Sequence, residues 1–218
     1  MRVKITKKET LEKMIEEKKY LENLDLKNLH LSHMEFEGVT FEDVDFSKAS
    51  IYNCYFEDCE FISCKFEKTT IYHSLFCRVE FDLMENFSFD MAELEEVLFL
   101  KSVLNELDFY SAKCGRTYFV ETDLNDVSFE KATLNRLFFK YSKAKVRFHK
   151  TVIDSFTFKD SSFIASYRDR VDYCILKNGI IKNCELNFKH FKSCVLEDVE
   201  FIDNKGNVEF INCIQFTS

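Results

Sequence analysis

Residues 45–56, DFSKASIYNCYF, and residues 65–76, KFEKTTIYHSLF, carry one pattern set 20 residues apart. Phe46/Phe66, Lys48/Lys68, Ile51/Ile71, Tyr52/Tyr72 and Phe56/Phe76 are identical across that offset. Within each stretch a large apolar residue returns at every fifth position, and a smaller residue stands two places before it, as Ala49 before Ile51 and Cys54 before Phe56. A period of five does not suit an α-helix, where successive Phe would lie about 140° apart and wrap the whole surface. It suits short extended segments, because residues two apart share a face. Each repeat then supplies a small and a large inward residue, and the other three turn a corner and face water.

Outward from this stretch the fifth-position series covers most of the chain. It runs from Leu26 to Phe81, from Phe89 to Phe139, from Phe148 to Phe163 and from Val171 to Phe201, giving 34 repeats with Phe at 19 centres. The breaks fall at 82–88, 140–147 and 164–170. Four repeats per 20-residue offset mean four sides per coil, with residues 20 apart stacked at about 4.8 Å. The expectation is a right-handed, four-sided parallel β-helix of about 8–9 coils. The composition agrees: 25 Phe among 218 residues, no Pro, no Trp and 4 Gly, so the corners are turned without the usual turn residues.

Residues 6–22, TKKETLEKMIEEKKYLE, read as an amphipathic helix with Leu11, Met14, Ile15, Lys18 and Leu21 on one side and Thr6 or Thr10 as N-cap. The division expected is a helical cap over 1–24 and a β-helix over 25–218, since a first coil needs its edge covered. The C-terminal stretch NVEFINCIQFTS continues the β pattern. Its last coil is expected to stay open and to stack on a second copy through Leu196, Phe201, Phe210 and Phe216.

These repeats resemble the pentapeptide-repeat family, whose motif is usually written A-[D/N]-L-x-x. The resemblance spans residues 26 to about 201, with Phe for Leu at most centres and Cys or Val often in place of Ala. It implies a binding protein, not an enzyme, since some members imitate DNA and bind type II topoisomerases such as gyrase, protecting them from quinolones. It also implies coil-on-coil dimers.

Chemistry-bearing residues are sparse. Cys54, Cys59, Cys64, Cys174, Cys184 and Cys194 all occupy the small inward slot, which reads as core and not as a metal site, so no cofactor or metal is expected. His33, Asn53 and His73 form an outward column beside Tyr52 and Tyr72. No phosphate loop, nucleophile elbow or metal-spaced His pair occurs. With no secretory h-region, no span of ~20 apolar residues and nine Cys, a reducing cytoplasm is the expected location, with no membrane contact.

Charge is the strongest functional hint. The net value is −8, yet residues 25–139 hold 23 acidic and 10 basic groups, and residues 140–218 hold 10 acidic and 13 basic. Carboxylates 20 apart are expected to stack as Asp25/Asp45, Glu37/Glu57, Glu60/Glu80 and Glu106/Asp126, which disfavours direct nucleic-acid binding. Glu37, Glu57, Glu60, Glu80, Glu106 and Asp126, with Tyr52 and Tyr72, are therefore the candidate surface for a protein partner, for which the family resemblance implies gyrase. The alternative is an inert scaffold or adaptor with a flat β face. The basic run Lys140–Lys150 is a second candidate contact. Asp169, Lys189 and Glu209 are spaced to form an inward acid–base–acid column, if the final register extends both ways.

Overall fold

The computed structural model describes residues 2–82, 88–163, 171–187, 190–206 and 208–217. The chain winds into a parallel β-helix of four faces. On the first face the inward centres stack as Leu31, Ile51, Ile71, Leu94, Cys114 and Leu134, then Ile153, Leu176, Leu196 and Gln215. Those ten rungs exceed the 8–9 coils read from sequence, because on this face the pattern runs past Phe201 to Gln215. The second face stacks Phe36, Phe56, Phe76, Phe99 and Phe119, then Phe139, Phe158, Ile181 and Phe201. The third carries Leu21, Phe41, Phe61, Phe81, Leu104 and Leu124. The fourth is barely a sheet over its first half, where single bridges link Asp25, Asp45, Lys65, Ser88, Asp108 and Ser128.

The corners explain the missing Gly and Pro. In almost every described repeat, the residue two places after the centre has a left-handed backbone: Asn53 at φ 51°, Lys68 at 55°, Arg78 at 52°, Arg136 at 56°. Only Gly38 meets this demand with a glycine among the described corners; Gly206, the other glycine with positive φ, stands in step with the centre Leu186. An L-residue is disfavoured there by ~1–2 kcal/mol. The strain is offset because each corner amide still finds a carbonyl on the next coil, as Asn53 N–H to Tyr72 O and Arg78 N–H to Leu100 O.

Inside, aromatic rings stack rung on rung. Phe36 and Phe56 lie 4.5 Å apart at 2°, Phe56 and Phe76 4.7 Å apart at 3°, and Phe46 and Phe66 4.7 Å apart at 8°. The small inward slots are buried as expected. Cys54, Cys59 and Cys64 donate their thiols to Leu31 O, Phe36 O and Phe41 O of the preceding coil. A buried Cys thus fills space and satisfies a carbonyl at once.

The breaks resolve into two kinds. Ile71 pairs with Leu94 and Ile153 with Leu176, so the coils containing 82–88 and 164–170 each take 23 residues instead of 20. The third break is milder than the sequence suggests. Ser142 and Ala144 continue the inward pair, Ala144 stacks on Leu124, and the chain drops one residue before Val146 joins Val127. All three irregularities occur at one corner, between the third and fourth faces. A small centre, Ala144, hid that repeat in the sequence.

At the N-terminus, Tyr20–Glu22 already pairs with Thr40–Glu42, so the β-helix begins before residue 25. The helix α1 is Lys8–Glu17, shorter than 6–22, and neither Thr6 nor Thr10 caps it; Lys7 holds that position without a side-chain bond. Leu11 and Ile15 are buried in the same cluster as Leu26 and Leu31, and Lys8 Nζ reaches Ser32 O at 2.6 Å. Lys18 is exposed. Arg2 ties down the start by donating to Asp43 O and pairing with Asp45 at 2.9 Å. At the other end nothing in the described residues covers the last coil. Phe201, Phe210, Ile214 and Phe216 are exposed there, whereas Leu196 is buried.

Candidate protein-interaction surface

The parallel register decides which outward residues share an edge. Glu37 stacks on Glu57, and Glu60 on Glu80. The first pair follows its centres on the second face and the second pair precedes its centres on the third, so all four carboxylates flank one corner. Like charges at rung spacing oppose each other. Arg78, in the same corner, relieves part of this by pairing with Asp58 at 2.7 Å and with Glu57. Hydrogen bonds from Arg78 hold the Asp58 and Glu57 carboxyls below their ordinary range. Tyr55 donates to Glu57, which pushes the phenol up to about 12. Thr40 Oγ1 donates to Glu60 at 3.4 Å.

Tyr52 and Tyr72 stack at 5.3 Å and 8° on the opposite edge of the second face. His33 and His73 meet Tyr52 edge-on at 6.0 Å, and His73 contacts Glu96. The tyrosine edge and the four-carboxylate edge therefore border one face. Glu106 and Asp126 do not join them: they turn the corner between the third and fourth faces, and Lys145 neutralises Asp126 at 2.6 Å.

Two sequence readings change here. The basic run does not form one patch, because Lys140 lies on the second face, Lys143 and Lys145 on the third and Arg147 on the fourth. Lys140 stacks instead on Lys159, and Lys159 on Lys182. That ladder was hidden because its spacings, 19 and 23, straddle the shortened and the lengthened coil. The inward ion column does not extend to Glu209, which is exposed and pairs with His190, while Phe210 takes the centre below Phe191. The chain returns one residue early beside Gly206, whose φ is +99°, so Glu209 falls outside. Asp169 and Lys189 lie outside the described residues. No group of three or more His, Cys, Asp or Glu able to hold a metal occurs among the described residues. No helix among them is long and apolar enough to cross a membrane.

Five-residue steps, paired inward slots and four-rung coils recur throughout, and the family model for pentapeptide repeats (8 copies) matches residues 20–58. That stretch matches the pentapeptide-repeat family, and the five-residue steps continue beyond it through the described rod. Among solved structures, this rod resembles HetL from the cyanobacterium Nostoc sp. strain PCC 7120, a pentapeptide-repeat protein involved in heterocyst differentiation regulation. The identity is 12%, 94% of each chain is covered and the TM-score is 0.51. Full-length QnrB1, a plasmid-mediated fluoroquinolone resistance protein, is 15% identical over 84% of this chain and 91% of its own, at a TM-score of 0.36. Rfr23 from the cyanobacterium Cyanothece 51142 is 11% identical over 55% of this chain and 92% of its own, at a TM-score of 0.32. At such identities the likeness to HetL shows a shared fold. No curated protein matches the chain.

Proposed function

We propose that this rod is a protein-binding module whose acidic edge occupies the basic, DNA-binding surface of a DNA-handling enzyme, a type II topoisomerase such as gyrase being the first candidate. The observation that carries this reading is the corner where Glu37, Glu57, Glu60 and Glu80 stack at rung spacing. Such a ladder is mildly unfavourable in the isolated chain. It becomes favourable opposite lysines and arginines, as a row of phosphates would. The excess of 23 acidic over 10 basic groups in residues 25–139 extends the same field along the rod. The role is binding and not catalysis, in keeping with a surface of repeating shallow ladders.

A supercoiling assay with purified gyrase, with and without quinolone, tests the reading directly. The rod is expected to inhibit supercoiling or relieve the drug at micromolar concentration, with the effect falling steeply as salt rises. The quadruple variant Glu37→Gln, Glu57→Gln, Glu60→Gln, Glu80→Gln is expected to lose it. An unchanged effect in that variant, or none from the parent chain, would count against the acidic edge.

A further inference from the structure

The second face is charged in opposite senses at its two ends. Its outward column after the centres begins with Glu37 and Glu57 and continues through Cys77 and Leu100. It then passes Val120, Lys140, Lys159 and Lys182, with Ile202 in one further rung. The parallel column before the centres is apolar in the middle, with Leu75, Leu98, Tyr118 and Phe138 stacked in that order. Tyr118 is exposed and the other three are half-buried. Among the described residues none of the three stacked lysines lies within ion-pair distance of a carboxylate, although Lys140 sits over the Tyr141 ring at 4.8 Å.

We propose that two copies of this chain pair side by side and antiparallel through the second face. A twofold axis lying in the contact plane, perpendicular to the rod, sets each column against itself and reverses its order. With the axis between the Leu100 and Val120 rungs, Glu37 faces Lys182 of the second copy, Glu57 faces Lys159 and Leu100 faces Val120. In the other column Leu98 meets Tyr118 and Leu75 meets Phe138. At the edge Lys101 meets Glu121. One like-charged meeting results, Asp58 with Asp160, and Asp58 already carries Arg78. The contact thus has an apolar centre and charged ends, the usual anatomy of a specific interface. A parallel pairing, about an axis along the rod, would set the column after the centres against the one before them. Lys140, Lys159 and Lys182 would then face Phe138, Thr157 and Ile180, so only the antiparallel order brings Lys159 and Lys182 opposite carboxylates.

Eight rungs make a strip about 34 Å long. That is small for a specific interface, so a weak, concentration-dependent dimer is expected. The pairing does not depend on a topoisomerase partner, and it leaves Glu60 and Glu80 uncovered on the third face.

Sedimentation equilibrium on the full chain, without any partner, tests it. The parent is expected to dimerise in the micromolar range. The variant Glu37→Lys/Glu57→Lys and the variant Lys159→Glu/Lys182→Glu are each expected to sediment as monomers over the same range. Mixed in equal amounts they should recover a dimer about as tight as the parent, since each of the substituted facing pairs is then opposite in sign. All four positions face solvent at least in part, so circular dichroism should report the parent fold in both variants. A parent that stays monomeric at about 100 μM, variants that dimerise as the parent does, or a mixture that fails to associate would overturn the proposal. A dimer untouched by these substitutions but lost in Ile214→Asp/Phe216→Asp would assign the association to the open end instead.

Discussion

Gly179 lies directly beneath the ring of Phe156, its in-register partner on the preceding coil, and a Cβ at Gly179 would stand 2.1 Å from two of the ring carbons. Both residues occupy the small inward slot of the second face, where neighbouring coils carry Leu137 and Val199. A phenyl ring fits that slot only because the next coil gives up its side chain. Gly179→Ala is therefore expected to cost roughly 1–3 kcal/mol, although alanine ordinarily improves on glycine in a strand. In a Phe156→Val background the same change should cost much less. Denaturant melts of the two single variants and the double variant measure the coupling, and additive losses would contradict the packing.

The left-handed corners make a separate prediction. Arg136 turns its corner at φ 56° with its side chain in solvent. Glycine removes the Cβ strain but adds unfolded-state freedom, so Arg136→Gly should gain up to about 1 kcal/mol. Arg136→Val should lose at least about 1 kcal/mol, since β-branching is poorly tolerated at positive φ. Thermal melts with the order Gly, Arg, Val from most to least stable are expected; the reverse order would deny the conformation.

The bridge column of the fourth face holds two carboxylates of opposite behaviour. Burial pushes Asp45 up, but bonds from Ser47 and the Lys27 ammonium outweigh it and hold the carboxyl below its ordinary value of 3.8. Arg2 completes its shell at 2.9 Å. A lowered pKa contributes stability above pH 3.8 that is lost as pH falls below it. Asp45→Asn is thus expected to cost stability at pH 7, and the difference from the parent should shrink near pH 3. Asp108 is the contrary case: burial raises it, Ser128 and Arg147 offset this only in part, and one oxygen is without a partner. Asp108→Asn should be neutral or stabilising at pH 7. Equal losses from both substitutions would show that the two sites do not differ.

Thiol chemistry should follow depth. Of the nine cysteines only Cys213, in the last coil, is not buried. Burial raises the thiols of Cys59 to about 11 and of Cys64 to about 12. Cys194, hydrogen-bonded with Cys174, is the exception, lowered to about 7, but it is closed off beneath Cys213. Brief treatment of the native chain with iodoacetamide is expected to label Cys213 first. Mass spectrometry showing Cys54, Cys59 or Cys64 labelled at a similar rate would contradict a closed interior.

The open end is the aggregation-prone part of the rod, because strand edges and apolar side chains coincide there. Ile214→Asp combined with Phe216→Asp should lower light scattering at high concentration without changing the melting of the upper coils. Unchanged scattering would mean that the end is covered in solution.

The sequence by itself determined the parallel coil of four five-residue sides, because inward selection acts on every repeat: Phe or Leu at the centre and Val, Ala, Cys, Ser or Thr two places earlier. That signal is local and repeated, so it survives the breaks. It also placed Glu37 beside Glu57 and Glu60 beside Glu80, since a spacing of 20 needs only the period. Three things depended on the tertiary structure. The repeat at Ala144 was invisible until its partner Leu124 fixed the rung. Glu209 moved from the inside to solvent when one residue was dropped beside Gly206. The Lys140–Lys159–Lys182 ladder appeared only once coils of 19 and 23 residues were laid against coils of 20. Interior side chains are chosen rung by rung and show in any short window, whereas outward neighbours depend on every insertion and deletion along the coil, which hydrogen bonding between turns alone decides.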